Sequence, residues 1–341
     1  CNTILATNDG LSLYFSYNNL ISGNTMTSNS YGGVVLYSSD DNTISDNVMI
    51  SNYYGIQLYS SSDNTFSSNA ILLNYIIGIY LYSSSGNTFS SNTISSNYFL
   101  GMQTDSYSIN NTVYHNNFIN TKNVQNTAVN FWSYEEEGNY WNDYKGRDLN
   151  ADGIGDSPYI IDSYNQDDYP MMGTFSSFNI TFQDETHYVT LISNSTILDF
   201  KFEIGTETGN RIIRFNATGE GDTVGFCRVR VPTQLMKYPY IVLVGNEEAV
   251  PIFLDPPNAT YLRLYLTYPN KDHAITIISS ETLRLYYELL ADYTELQEAF
   301  YNLNATYYDL NRTYYDLLNN YTVLSSLYLS LIHISEPTRQ A

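Results

Sequence analysis

The passage Gly55-Ile56-Gln57-Leu58-Tyr59-Ser60-Ser61, with Asn64-Thr65-Phe66, Asn69 and Asn74 behind it, returns along the first part of the chain. Its opening recurs as Gly33-Val34-Val35-Leu36-Tyr37-Ser38-Ser39, as Gly78-Ile79-Tyr80-Leu81-Tyr82-Ser83-Ser84 and, degraded, as Gly101-Met102-Gln103-Thr104. Asn64-Thr65-Phe66 recurs as Asn42-Thr43-Ile44, Asn87-Thr88-Phe89 and Asn111-Thr112-Val113. Asn69 has counterparts in Asn47, Asn92 and Asn116, and Asn74 in Asn52 and Asn97. An earlier copy (Leu11, Leu13, Asn19, Ile21, Asn24, Met26, Asn29) keeps the same phase. A repeat of ~23 residues marks a solenoid, because one unit cannot bury its apolar face alone.

Within each copy, apolar residues alternate with polar ones, as at Ile56/Leu58, Phe66 and Ile71, which predicts short strands with one face inward. Each run ends near an Asn, a residue that tolerates the left-handed conformation of a tight corner. Three strands and three corners per copy make one coil of a parallel β-helix. Stacked coils set equivalent residues ~4.8 Å apart. Asn19, Asn42, Asn64, Asn87 and Asn111 are then expected to form an amide ladder, and Ile44, Phe66, Phe89 and Val113 an internal apolar stack.

The stretch over residues 1–135, with its G-I-x-L-Y-S-S-S-x-N-T-F-S-S-N pattern, resembles the NosD-like, pectate-lyase-like right-handed β-helix family. That resemblance implies a fold and leaves activity open, since function is decided by the site. β-Helix relatives include polysaccharide lyases and glycoside hydrolases. Lyases of this fold generally use a basic residue as proton acceptor, and residues 1–121 contain no Lys or Arg. A hydrolase needs two carboxyl groups at a controlled separation. The available acids are Asp40, Asp41, Asp46, Asp63 and Asp105, of which Asp40, Asp41 and Asp63 fall at the Asn corner, where short polar residues are expected in any case. Copper handling, which the family name raises, calls for clustered Met, His or Cys, whereas Met26, Met49, Met102 and His115 have no ligand spacing. The columns Tyr37/Tyr59/Tyr82 and Ser38/Ser60/Ser83 make an outward strip of rings and hydroxyls. It is a candidate glycan contact, set against simple like-neighbour stacking.

Composition bounds the rest. The 341 residues allow two or three domains at ~100–200 residues each. Lys+Arg number 14 against 35 Asp+Glu, a net −21, so nucleic acid is not an expected partner. Only 14% of residues are charged, unlike a charge-swollen disordered chain. Two cysteines, Cys1 and Cys227, and four scattered histidines give neither a disulfide framework nor a structural zinc site. No run of ~18 apolar residues predicts a membrane span, so an anchor would lie beyond this sequence. The chain starts in mid-repeat at Cys1. Its end, Leu329 to Gln340, resembles a translated sequencing-adapter sequence, so truncation at both ends is expected, with no biology in residues 329–341.

After the repeats comes Asp148-Leu149-Asn150-Ala151-Asp152-Gly153-Ile154-Gly155-Asp156. Oxygen donors at positions one, three and five, Gly at six and a carbonyl at seven match an EF-hand-type loop. Asp148, Asn150, Asp152, Asp156 and the Ile154 carbonyl are therefore candidate ligands for a structural Ca²⁺, although Tyr159 stands where a bidentate Glu belongs. Asp162 or Asp143 is a potential substitute for that Glu, and an ordinary polar turn is the alternative. The segment 136–173 resembles the one that follows NosD-like helices in archaeal surface proteins. Its Tyr140 and Trp141, with Trp132, are placed to cover the open last coil.

From Thr174 onward, alternating runs such as His187–Ser193, Arg211–Asn216, Phe226–Val231 and Tyr261–Tyr268, separated by turn residues, predict a β-sandwich over 174–281. Ile213-Arg214-Phe215-Asn216-Ala217-Thr218, with Gly225-Phe226-Cys227-Arg228-Val229 and Val231-Pro232, resembles a sandwich module of archaeal exported proteins over about residues 175–280, with Cys227 as a small buried side chain. Sequons at Asn179, Asn194, Asn216, Asn258, Asn304, Asn311 and Asn320, with Asn110 earlier, favour a glycosylated exterior. In residues 282–328, Leu289, Leu296, Leu303, Leu310, Leu317 and Leu324 recur every seven residues. Tyr286, Tyr293, Phe300, Tyr307, Tyr314, Tyr321 and Tyr328 do the same, which predicts a coiled-coil stalk capable of self-association.

The expected whole is mainly β: parallel β-helix, acidic cap, sandwich and helical stalk in series. The expected role is that of an exported, extracellular cell-surface structural or adhesion protein contacting surface glycans or other surface proteins. A carbohydrate-active enzyme on the β-helix is the alternative.

Overall fold

The computed structural model describes residues 2–221 and 223–335. Cys1, Asp222 and residues 336–341 of the adapter-like tail lie outside them. The repeats form three parallel sheets. One runs through Thr3–Leu5, Thr25–Thr27, Val48–Ile50, Ala70–Leu72, Thr93–Ser95, Asn117–Ile119 and Tyr140–Trp141. A second holds Leu11–Tyr14, Gly32–Tyr37, Tyr54–Tyr59, Ile77–Tyr82, Leu100–Thr104 and Val124–Gln125. The third holds Leu20–Ser22, Thr43–Ser45, Thr65–Ser67, Thr88–Ser90 and Thr112–Tyr114. Parallel pairing continues to Trp141, a few residues beyond the end of the sequence repeat.

Register does what the alternation requires. Ile44, Phe66, Phe89 and Val113 are direct partners across successive strands, and all are fully buried. Phe66 and Phe89 stack with centroids 4.8 Å apart. Met26, Met49, Ile71, Ile94, Phe118 and Trp141 form a second buried column. Ile56 and Leu58 supply the inward side of the second sheet.

Asparagine ladders run along three corners rather than one. In the ladder Asn42–Asn64–Asn87–Asn111, the backbone N–H and side-chain Nδ2 of each Asn both donate to Oδ1 of the next, at 2.9–3.1 Å. Asn24–Asn47–Asn69–Asn92–Asn116 and Asn29–Asn52–Asn74–Asn97–Asn120 repeat the pattern. The remaining Nδ2 hydrogen goes to a core-strand carbonyl, as from Asn69 to Ile44 at 2.8 Å. Corner backbone that could not otherwise be paired inside the molecule is satisfied in this way.

The corner conformation differs from expectation in one respect. The left-handed residue is not the ladder Asn but the residue before it: Asp41, Asp63 and Gly86 on one corner, Asp46, Ser68 and Ser91 on another. The Asn side chain must point along the axis to meet its neighbour, so the preceding residue takes the positive φ, and short polar residues or Gly tolerate it best.

Each ladder ends in donors pointing toward the last coil, and the following segment supplies their acceptors. Asn165 Oδ1 accepts from the Asn130 N–H at 3.0 Å, and Asp167 Oδ2 from the Asn139 N–H at 2.7 Å. Asn123 donates to Asn142 and Asp143. Trp141 lies between Phe118 (4.5 Å) and Tyr159 (4.3 Å) as a continued aromatic stack, and Trp132 is buried beside it. Tyr140 packs instead toward Ile154, Met171 and Phe226.

Two five-stranded antiparallel sheets follow. Thr174–Phe182, Glu185–Ser193, Val224–Pro232, Tyr261–Pro269 and Ile252–Phe253 form one. Thr196–Ile204, Arg211–Thr218, His273–Ser279, Tyr240–Val244 and Glu247–Ala249 form the other. Leu191, Val229 and Leu264 from the first share a core with Ile213, Phe215, Ile275 and Ile277 from the second. Cys227 is wholly buried there, and burial pushes its thiol up. The final unit is one helix, Glu281–Ser335, whose heptad leucines and tyrosines are exposed.

Candidate functional site

The second β-helix sheet carries the tyrosine strip on its outer face. Tyr14, Tyr37 and Tyr59 are cross-strand partners with centroids 4.7 and 5.0 Å apart and planes within 12°. Rings stacked this closely cover one another's faces, which leaves edges and hydroxyls outward. Tyr82 departs from the stack, tilted 47° to Tyr59 and 48% exposed, so its face is open. Tyr31, Tyr54 and Tyr80 close over the neighbouring column, and the Tyr31 and Tyr59 hydroxyls lie 3.0 Å apart. Beneath them Gln57 is fully buried, and neither end of its amide has a hydrogen-bond partner among the described residues. Burial raises the phenols of Tyr37 and Tyr59.

The β-helix acids are dispersed over the corners. Asp40 accepts the Ser62 N–H at 2.7 Å, and Asp105 accepts the Ser83 N–H at 3.0 Å and the Ser108 hydroxyl at 2.7 Å. Asp41, Asp46 and Asp63 occupy left-handed corner positions. Met26, Met49 and Met102 are core side chains.

In the acidic loop, Asp148 receives the N–H groups of Asp152 (3.1 Å) and Gly153 (2.8 Å), and Asp156 that of Leu149 (2.6 Å). Asn150 Nδ2 donates to Asp152 at 3.0 Å. Burial raises the Asp148 carboxyl against those donors. Gly153 takes φ +80°, as its place in the loop requires. Among the described residues, no three His, Cys, Asp or Glu side chains gather around one point. Ile154 is buried against Met171, Phe175 and Phe226, so the loop is seated on the sandwich.

Of the sequon asparagines, Asn110, Asn179, Asn258, Asn304, Asn311 and Asn320 are exposed. Asn194 is exposed but bonds both ways to backbone, to the Val224 carbonyl and from the Phe226 N–H. Asn216 is half-buried and donates to Asp199.

Sequence reasoning missed the junction between β-helix and sandwich. The hairpin Tyr134–Glu137 turns through Glu135 and Glu136, both left-handed, and aims Glu137 inward. Glu137 meets His115 Nε2 at 2.6 Å and pairs with the buried Arg228 guanidinium. Burial alone would raise its carboxyl, but the His115 hydrogen bond and the Arg228 charge outweigh it and bring it down to about 2. A carboxyl lowered on folding stabilises above its ordinary pKa of 4.5, and that stability is lost as pH falls toward 2. The full effect is about 3 kcal/mol. We expect Glu137→Gln to be less stable at pH 7 and to lose less on acidification from pH 5 to 2, as read by chemical denaturation. Only contact between distant segments reveals this site, because Glu137 and Arg228 carry no mutual sequence signal.

These features define a parallel β-helix repeat protein with a capped C-terminal end and a sandwich. Residues 1–146 match the family model described as "Periplasmic copper-binding protein (NosD)". No curated protein matches. Among solved structures, the Dettilon tailspike protein is similar at 9% identity and TM-score 0.28, covering 76% of this chain and 56% of that chain. The tailspike gp49 of Acinetobacter baumannii bacteriophage Fri1, a capsular polysaccharide depolymerase, is similar at 9% identity and TM-score 0.19, covering 76% and 62%. The chain thus spans a little over half the length of these tailspikes, and nothing about its activity follows from likeness at this level. No helix among the described residues is long and apolar enough to cross a membrane.

Proposed function

We propose that the chain is an exported, extracellular cell-surface protein with a structural or adhesive role, its β-helix a rigid element that contacts surface glycans. The observation that carries this is the outer face of the second sheet, where stacked tyrosines end in the open ring of Tyr82. An open ring face packs against a sugar's C–H groups, and the Tyr and Ser hydroxyls beside it exchange hydrogen bonds with sugar hydroxyls. Retention on immobilised polysaccharide tests it. Tyr82→Ala should release the protein at lower competitor concentration, and unchanged retention would remove the strip from the proposal. The competing enzyme reading needs two carboxyl groups facing one groove.

The exposed heptad face of Glu281–Ser335 supports a self-associating stalk, and the exposed sequon asparagines support glycosylation. We further propose that Asp148, Asn150, Asp152, Asp156 and the Ile154 carbonyl bind Ca²⁺ weakly, with a Kd of ~10⁻⁴–10⁻³ M. The ion would draw together carboxylates now held by loop N–H groups. Millimolar calcium should then raise the melting temperature relative to chelator, following RT ln(1 + [Ca²⁺]/Kd). An equal rise in Asp148→Ala/Asp152→Ala would defeat the assignment.

A further inference from the structure

A cleft of about 340 Å³ lies where the third β-helix sheet and the hairpin Tyr134–Glu137 face the sandwich. That volume is at the lower end for a small-ligand site. Its floor is a row of outward side chains in register across four strands: Ser177, Thr190, Arg230 and Arg263. Two guanidinium groups directly opposite each other on a sheet repel. Arg263 is relieved by Asp255, which it holds through Nε and Nη2. Arg230 has no carboxylate partner among the described residues, and its guanidinium lies 3.8 Å from the centre of the Tyr261 ring. In a chain of net charge −21, an Arg left without an acid beside a second Arg is an anion-attracting point.

Two carboxylates, Glu135 and Glu137, also line the cleft. Glu137 is consumed by His115 and Arg228, and Glu135 is exposed. Tyr134 and Tyr188 are about half exposed, at 52% and 54%. Unlike Tyr37 and Tyr59, they present ring area that no parallel neighbour covers.

We propose that this cleft binds an acidic saccharide, with the sugar carboxylate on Arg230, its hydroxyls on Ser177 and Thr190, and a ring against Tyr188. The planar guanidinium fork matches a carboxylate with two parallel hydrogen bonds, and rings with hydroxyls suit the sugar. The proposal extends the glycan-contact reading to a second place on the molecule.

Calorimetric titration of the full chain at low salt tests it, with a short oligogalacturonate, a neutral oligosaccharide of equal length and inorganic phosphate as probes. We expect binding of the oligogalacturonate alone. Arg230→Gln should weaken it by about tenfold or more, Arg230→Lys less, and the solvent-exposed change Tyr188→Ala measurably. Equal binding of the neutral sugar or of phosphate, or an affinity indifferent to both Arg230→Gln and Tyr188→Ala, would overturn the proposal. Loss of binding in Tyr82→Ala but not in Arg230→Gln would overturn the cleft while leaving the tyrosine strip standing.

Discussion

Gly55→Ala should destabilise the β-helix by about 3 kcal/mol or more, lowering its melting temperature by roughly 10 °C. A Cβ at Gly55 would lie 2.5 Å from the Gly78 carbonyl oxygen of the next coil, and closer still to Ile71 Cγ2. One partner is backbone held in the stack and the other is a fully buried core side chain, so neither yields cheaply. Gly33, Gly78 and Gly101 share the geometry, each with its Cβ position 2.5–2.6 Å from the carbonyl oxygen of the next coil's counterpart position. Gly23 is the contrast. It has φ +68° and open space around it, so Gly23→Ala should cost only the left-handed penalty of ~1 kcal/mol. Similar losses from the two variants in thermal or urea melts would show that the close approach of coils does not limit stability.

Asn69→Ala should cost about 3–5 kcal/mol, because it removes four buried hydrogen bonds at once. Asn69 Oδ1 accepts from the N–H and Nδ2 of Asn47, at 3.0 and 3.2 Å. Its own Nδ2 serves the Ile44 carbonyl and Asn92. Truncation leaves the buried Asn47 N–H without its acceptor and removes one side-chain bond each from the Asn47 amide, the Ile44 carbonyl and Asn92, although the Asn47 amide keeps the Ile21 and Ser45 carbonyls. Asn69→Asp would keep the acceptor but turn a carboxylate toward the Ile44 and Asn92 oxygens, and should be no better. Asn24→Ala, near the exposed start of the same ladder, should cost ~1 kcal/mol, since Asn2 beyond it is solvent-exposed. Equal losses at the two positions in urea denaturation would mean that buried pairing is not what the ladder contributes.

The β-helix was legible because its period is enforced by contact. Residues that stack on themselves must repeat, so Phe66 over Phe89 and Asn64 over Asn87 appear in the sequence as copies. The second and third ladders were visible as recurring asparagines, but the left-handed residue beside each was not. Asp, Ser and Gly share that place, and even Leu73 takes it, so no single residue type marks it.

The sandwich was read strand by strand where one face is wet. The alternation is blurred in Thr174–Phe182, where Phe175 packs on the Ile154 side while Phe178 and Ile180 serve the main core. It is weak also in His273–Ser279, the central strand of its sheet, where Thr276 and Ser279 are buried as well as Ile275 and Ile277. The candidate sites were less legible than the fold. The tyrosine column was seen, but stacking turns the faces of Tyr37 and Tyr59 inward upon each other. The cleft depends on Arg230 and Arg263 meeting across strands whose register no local pattern states.

The claim that the β-helix is a scaffold that holds saccharide without cleaving it is tested most directly by one incubation. The full chain is mixed with neutral and acidic polysaccharides, and both retained protein and newly formed reducing or unsaturated ends are measured over time. Retention with no new chain ends is the expected result. Turnover that disappears in Asp46→Ala or Asp105→Ala would contradict it and place catalysis on the β-helix corners.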